Sequence, residues 1–236
     1  MIYITGDKHA NYKDVLFFCY QNNTSKEDTL IILGDAGINY FLDLRDYLLK
    51  ESLANYSITF FCIHGNHEER PNLIPTYKTK EFHEGTVYYE KRFPNILFAK
   101  DTEIYDFNGL KTFVIGGAYS IDKEYRLMRR YNWYSSEQPD NKTKQRAIKV
   151  LNNNKVDIIL SHTCPYSYLP REAFIPGFEK KEVDNSTEYF LDMIEKNYDY
   201  QKWYCGHFHI DKEIDKIEFM SNNIKEFEKK LILKKD

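Results

Sequence analysis

The sequence is short of the residues that build irregular chains. Of its 236 residues only 10 are glycine and 7 proline, which excludes collagen-like repeats and linker-dominated architectures. It has four cysteines, Cys19, Cys62, Cys164 and Cys205. No two of them form a C-x-x-C pair, and reduced thiols in a cytoplasmic protein are expected. No run approaches the ~18 apolar residues of a membrane span, so no membrane partner is expected. The N-terminus reads directly as a strand, with no basic segment followed by an apolar one. Charge of one sign is not in excess either. Lys plus Arg number 33 against 36 Asp plus Glu, a net charge of −3. That balance argues against a protein that grips nucleic acid by bulk charge.

What remains is the composition of a globular enzyme-sized chain, 42% hydrophobic and 29% charged. Such a chain buries about 70–75% of its unfolded surface and needs no staples. The heavy aromatic load, 20 Tyr and 16 Phe, is assigned to packing.

The pattern along the chain is α/β. Ile2 to Thr5, Leu30 to Leu33 and Ile58 to Ile63 read as strands. Between them, Asn11 is placed to cap a helix carrying Val15, Leu16, Phe17 and Cys19. Phe41, Leu44 and Leu48, with Leu42, Leu49 and Leu53, have the i, i+3, i+4 spacing of a second helix. Strands alternating with helices imply parallel pairing. The middle is expected to be antiparallel: Thr86 to Glu90, Ile96 to Ala99, Thr102 to Phe107 and Leu110 to Ile115, with Asn108-Gly109 as a hairpin turn. The α/β pattern resumes with helices over Gln145 to Asn152 and Ser186 to Lys196 and strands at Val156 to Leu160 and Trp203 to Cys205. Short apolar runs from Ile214 to Leu233 are expected to close a sheet. The lysines there, Lys225, Lys229, Lys230, Lys234 and Lys235, read as a solvated tail. No repeat or linker divides the chain, so residues 1–236 are expected to form one domain built on two sheets.

Five of these strands end in residues that carry chemistry. Asp7 and His9 follow the first, Asp35 the second, and Asn66 and His67 the third. His162 follows the Val156 strand, and His207 and His209 follow the Trp203 strand. In a parallel sheet the carboxyl ends share one edge, where ligands bind. Residues spaced i, i+2 on extended chain point to the same side, so Asp7 and His9 can grip one ion. His207 and His209, with the same spacing, can serve two adjacent ions, and Asp35 has two oxygens with which to bridge them. Imidazole, carboxylate and amide oxygen suit Mn²⁺, Fe or Zn²⁺. Two such ions ~3.5–4 Å apart are the usual clamp for phosphoryl transfer.

These blocks, D-x-H, G-D, G-N-H-E, a lone His and G-H-x-H, occur in that order from residue 7 to residue 209. The chain therefore resembles the calcineurin-like metallophosphoesterases. The resemblance implies two mixed β-sheets packed as a sandwich and flanked by helices. It implies two divalent ions, expected to be Mn²⁺ with Fe or Zn²⁺ as alternatives, and a phosphomonoester or phosphodiester as substrate. Carried over by position, Asp7, His9 and His209 would hold one ion and Asn66, His162 and His207 the other. Asp35 would bridge both together with the attacking hydroxide. His67 would assist the leaving group rather than bind metal.

The second block departs from the G-D-x-x-D-R-G of the protein Ser/Thr phosphatases, having Ile38 and Asn39 where those have Asp and Arg. That disfavours a phosphoprotein substrate, the alternative reading, and leaves the group that orients His67 to Glu68 or Glu69 by proximity. A non-catalytic scaffold is disfavoured because every ligand position is filled. His64 is assigned to packing or to support of the neighbouring ligands rather than to binding metal, and His83, in a charged stretch, to the surface. Cys62, Cys164 and Cys205 lie beside the blocks as small buried residues. The segment around 116–140 is expected to face the substrate. Its Arg126, Arg129 and Arg130 are candidate anion-binding residues, and Trp133 a candidate stacking group.

Overall fold

The computed structural model describes residues 1–174 and 183–229. Its frame is set by short, wholly apolar runs. Ile2–Thr5 (β1), Thr29–Ile32 (β2) and Thr59–Cys62 (β3) pair in parallel with β2 in the middle. Every residue of β2 and β3 is buried, as expected of strands covered on both faces. The crossovers are α1 (Lys13–Asn22) and α2 (Leu44–Ala54). Lys78–Phe82 (β4), Gly85–Glu90 (β5) and Phe93–Ala99 (β6) follow, and Lys225–Glu226 (β13) closes the far edge. The first sheet thus runs β13-β1-β2-β3-β6-β5-β4.

The second sheet is built from Ile104–Phe107 (β7), Leu110–Ile115 (β8), Ile158–Ser161 (β9), Lys202–Cys205 (β10), Lys212–Ile214 (β11) and Ile217–Phe219 (β12). Its order is β11-β12-β10-β9-β8-β7. Three helices belong to this half: α3 (Lys123–Arg129), α4 (Asn141–Asn153) and α5 (Ser186–Asn197). Both sheets are mixed. The central core, with Ile4, Leu33, Phe61, Phe107, Val114 and Tyr204, lies between them. A second cluster packs Val15, Cys19 and Leu53 of α1 and α2 on the first sheet, and a third packs Ala147, Leu151, Leu191 and Ile194 of α4 and α5 on the second. The result is the flanked two-sheet sandwich expected of the sequence.

Several local expectations need correction. The N-cap of α1 is Tyr12, not Asn11. Its ring is buried, and its hydroxyl donates to the Ala36 carbonyl at 2.9 Å. The apolar face expected of the second helix points inward only in part: Leu53 is buried and Leu49 packs on the second cluster, but Leu44 is 67% and Leu48 53% exposed, and Asp46 and Lys50 are buried instead. The buried polar groups have partners that make this possible. Asp46 accepts from the amides of Phe41 and Leu42, at 3.0 and 2.7 Å, and Lys50 pairs with Glu90 at 2.6 Å.

The middle segment is antiparallel only within its hairpins, β4–β5–β6 and β7–β8. β6 itself lies parallel to β3, and β8 parallel to β9. Asn108 and Gly109 take φ of +57° and +82° at the turn, the primed geometry their pairing foretells. β4 is a charged edge strand with no apolar alternation to announce it. The expected closing tail serves both sheets, through β11 and β12 on one and β13 on the other. Lys230, Lys234 and Lys235 lie outside the described residues.

Tyr105 ties the two sheets across the central core. From β7 its hydroxyl donates to the Thr86 carbonyl on β5 at 2.6 Å and accepts from the Lys100 amide at 2.9 Å. Tyr105→Phe removes the hydroxyl from both half-buried partners. It is expected to cost about 1–3 kcal/mol in urea unfolding with an unchanged m-value.

Candidate metal centre

Loops at the carboxyl ends of β1, β2 and β3 in the first sheet, and of β9 and β10 in the second, meet at one crevice. Three sets of ligand atoms there lie within 4.8 Å of one another: Asp7 with His9 and His209, His9 with Asp35 and His67, and Asp7 with Asp35 and His162. His9 Nε2 is 3.0 Å from His209 Nε2, and both face Asp7 Oδ2, at 3.8 and 3.3 Å. Asp7 Oδ2 is buried and has no hydrogen-bond partner, although its sister oxygen accepts from the His207 amide at 2.9 Å. On the other side His162 Nδ1 faces the Leu33 carbonyl at 2.7 Å and must be the protonated nitrogen. In the neutral ring its Nε2 is then a lone pair, 2.8 Å from Asn66 Oδ1, which is also an acceptor. The Asn66 amide is oriented by donating to Ser120 Oγ at 2.8 Å. Asp35 Oδ2 stands between the groups, 3.6 Å from His162 and 3.8 Å from both His9 and His67. The His207 ring packs edge-on to His162, centroids 4.9 Å apart.

The backbone is bent to make this possible. His9, Asp35, His207 and His209 all have positive φ, between +44° and +68°, a region that costs a residue with a β-carbon and persists only where neighbours enforce it. Here the loops hold one another. The amides of Lys8 and His9 both donate to the Asp35 carbonyl at 3.1 and 2.8 Å, and the His67 amide donates to Asp35 Oδ1 at 2.9 Å. The Lys8 ammonium is turned to Asp14 at 2.8 Å.

The charges are strongly coupled. Burial opposes ionisation of Asp35, but His162, His67 and His9 outweigh it and hold its carboxyl well below the usual range. Burial first, then the nearby His162, holds His207 down to about 3. The Asp7 carboxylate, 3.3 Å away, raises His209. Burial lowers His67; the Asp35 charge opposes this and Arg126 adds to it.

Of the three arginines expected to face substrate, the structure brings one to the crevice. Arg126 is buried, and its Nη2 contacts His67 Nδ1 and lies 3.2 Å from Nε2. Arg129 and Arg130 are exposed on the outer side of α3 and its C-cap. Trp133 donates to Glu137 at 2.7 Å and carries Lys123 over its ring. Neither residue suggested as the orienter of His67 reaches that ring by its hydrogen bonds. Glu68 is fully buried and accepts from the Gly65 amide at 2.9 Å, while Glu69 accepts from Ser136 and Arg70. Asp122, Asn132 and Tyr40, which surround Arg126, and Ser120, which turns Asn66, were not visible as site residues, because none belongs to a spaced block.

A family model for the calcineurin-like phosphoesterases matches residues 1–211. The chain belongs to that family. The match spans all five blocks of this calcineurin-like phosphoesterase. Solved structures resemble it, among them the following two. TT1561 of Thermus thermophilus is 11% identical with a TM-score of 0.50, over 93% of this chain and 87% of that one. A structure described as a novel archaeal phosphodiesterase is 11% identical with a TM-score of 0.37, over 93% and 81%. The first likeness supports the fold. No curated protein matches the chain. No helix among the described residues is long and apolar enough to cross a membrane.

The tightest packing at the centre sets backbone against candidate ligand side chains. A β-carbon on Gly65 would fall 2.0 Å from Asp35 Oδ1, and one on Gly34, at φ +97°, would fall 2.1 Å from His162 Nδ1. Gly65→Ala is therefore expected to displace Asp35 and to destabilise the protein by about 1–3 kcal/mol. Thermal unfolding checks the second effect and metal content the first.

Proposed function

We propose that this calcineurin-like phosphoesterase is a dinuclear metal-dependent hydrolase of phosphomonoesters or phosphodiesters. The observation that carries the reading is the pairing of acceptors. His162 Nε2 faces Asn66 Oδ1 at 2.8 Å, and Asp7 Oδ2 is buried with no donor beside two imidazoles. Lone pairs brought together in this way suit a shared cation, so the residues fit the metals that the family implies. Asp7, His9 and His209 would hold one ion, Asn66, His162 and His207 the other, with Asp35 between. The donor set of imidazole, carboxylate and amide oxygen suits Mn²⁺, and Fe or Zn²⁺ as alternatives. When bound, such ions lower the pKa of water and take up charge from the phosphate oxygens.

The chain's own groups do the rest. His67 stands beside Asp35 at the crevice and would assist the leaving oxygen. Arg126 would bind a phosphate oxygen through N–H groups not used within the protein, and Arg129 and Arg130 would meet more distant anions of a larger substrate. The phosphoprotein reading is not favoured. Ile38 is fully buried, and Asn39 is engaged by the Tyr77 hydroxyl and the Glu69 amide, each at 3.0 Å. The second block therefore offers no phosphate-binding cation. We take residues 1–236 as one catalytic domain with residues 116–140 as its substrate-facing segment. The four free, buried cysteines support a reducing, cytoplasmic setting.

Chelation is expected to abolish hydrolysis of p-nitrophenyl phosphate, with Mn²⁺ among the ions that restore it, and metal analysis should find about two ions per chain. Asp35→Asn should be the most damaging ligand change, since it weakens both sites. Full activity of metal-free protein would refute the proposal. His67→Ala should retain the metals yet lose about 10²–10³ in kcat, the usual cost of removing one donor to a developing oxyanion. Metal loss in that variant would show that His67 is a ligand.

A further inference from the structure

The segment that carries Arg126 has almost no core of its own. Between residues 119 and 136 only Ser120 and Arg126 are buried. A stretch with so few buried apolar contacts keeps its place through its ends and a handful of polar contacts. Both buried residues nevertheless reach the candidate centre. Ser120 Oγ accepts from the Asn66 amide at 2.8 Å, and Arg126 Nη2 meets the His67 ring. Where these two side chains stand is therefore set largely at the roots of the segment.

Arg70 reaches both roots from the loop that carries Asn66 and His67. Its Nε donates to the Ser136 carbonyl at 2.7 Å, at the C-terminal root. Its Nη1 pairs with Asp101, whose other oxygen accepts from the Gly116 amide at 2.8 Å, at the N-terminal root. Its Nη2 is buried without a partner against Gly117, where a β-carbon would come within 3.0 Å of it. The neighbouring Glu69 carboxylate accepts from Ser136 Oγ at 2.5 Å and from the Arg70 amide at 2.9 Å. The roots also bind each other, since the Ala118 amide donates to the Glu137 carbonyl at 3.2 Å. A planar guanidinium can hold partners in two directions at once in fixed geometry, which a lysine ammonium cannot.

We infer that Arg70 is a positioning residue: by clamping Ser136 directly and Gly116 through Asp101 to the His67 loop, it sets where Arg126 meets the substrate phosphate. The inference rests on the phosphoesterase reading above, in which Arg126 binds a phosphate oxygen. The Arg70 donors are directed to Ser136 and Asp101, so Arg70 acts through Arg126 and not on the substrate itself. Its removal therefore matters to substrate binding only while Arg126 is present. A residue that merely supports the fold would show no such dependence.

The test is a double-mutant cycle on the full chain with p-nitrophenyl phosphate in excess Mn²⁺. Arg126→Met should raise KM on the order of ten- to a hundredfold, the scale of a lost charge-assisted hydrogen bond. Arg70→Gln should raise KM about tenfold with kcat changed much less, and Arg70→Lys, which keeps a charge beside Asp101, should recover part of that. With Arg126→Met already in place, Arg70→Gln should raise KM by less than about twofold, because the group it positions is gone. Additive effects of the two substitutions, or a wild-type KM in Arg70→Gln, overturn the inference. If neither Arg70 variant folds, Ser136→Ala, which removes the side-chain contact with Glu69, takes its place in the cycle. A smaller rise in KM that vanishes with Arg126→Met is then expected, and an additive rise or none overturns the inference. Amide hydrogen exchange reads the segment without activity. Residues 118–136 should exchange faster in the Arg70 or Ser136 variant than in the wild type, with β1, β2 and β3 unchanged, and unaltered exchange of the segment also overturns the inference. If the metal-loaded wild type hydrolyses no phosphate ester, the phosphoesterase reading fails, and exchange alone decides whether Arg70 holds the segment.

Discussion

A buried carboxylate among histidines is the constraint on which the rest of this centre depends. Asp35 is almost wholly removed from solvent, and a lone ionised carboxylate in that position is costly. It stays charged because His162, His67 and His9 surround it, and because the amide of His67 donates to it. Each of those groups comes from a different loop. The centre therefore forms only when the ends of β1, β3 and β9 are all brought to the end of β2. The left-handed backbone at four of the proposed ligands fits this picture, since the loops bend in order to reach one carboxylate, and their mutual hydrogen bonds hold the bend.

The segment between β8 and α4 plays a different part. It adds no proposed ligand, but it supplies Ser120 to turn the Asn66 amide and Arg126 to meet His67. A second block with Ile38 and Asn39 has no cation to place there. Here the cation arrives from α3, with its own carboxylate, Asp122, one turn away. Most of α3 is exposed; it reaches inward through Arg126, which meets His67 and the Tyr40 ring, while Lys123 lies over the Trp133 ring.

How far the sequence could be read follows from the kind of interaction. The strands of the parallel cores were legible because wholly apolar runs of four residues, such as Leu30 to Leu33, have few other uses. The proposed ligands stand out in the sequence because the spacing within each block is local. What could not be read depends on partners distant in sequence. Leu44 and Leu48 have helical spacing, yet the helix turns them outward because Asp46 is needed by the amides of Phe41 and Leu42, and Lys50 by Glu90. Proximity in sequence suggested Glu68 and Glu69 as orienters of His67. Glu68 instead joins the loop backbone at Gly65, and Glu69 is drawn to Ser136. The contact that His67 does make, with a residue 59 positions away, has no local signature.

The two sheets also divide the proposed ligands in a way that matters for energetics. Asp7, His9, Asp35 and Asn66 follow strands of the first sheet, and His162, His207 and His209 follow strands of the second. Neither proposed ion would be held by one sheet alone, since each set draws on both. An ion in either site therefore favours the state in which the sheets are packed together, and metal binding adds to stability in proportion to its preference for that state. The reverse also holds. Whatever loosens the inter-sheet core, even at Tyr105, would shift the two halves of each proposed ligand set relative to one another and weaken the binding of either proposed ion.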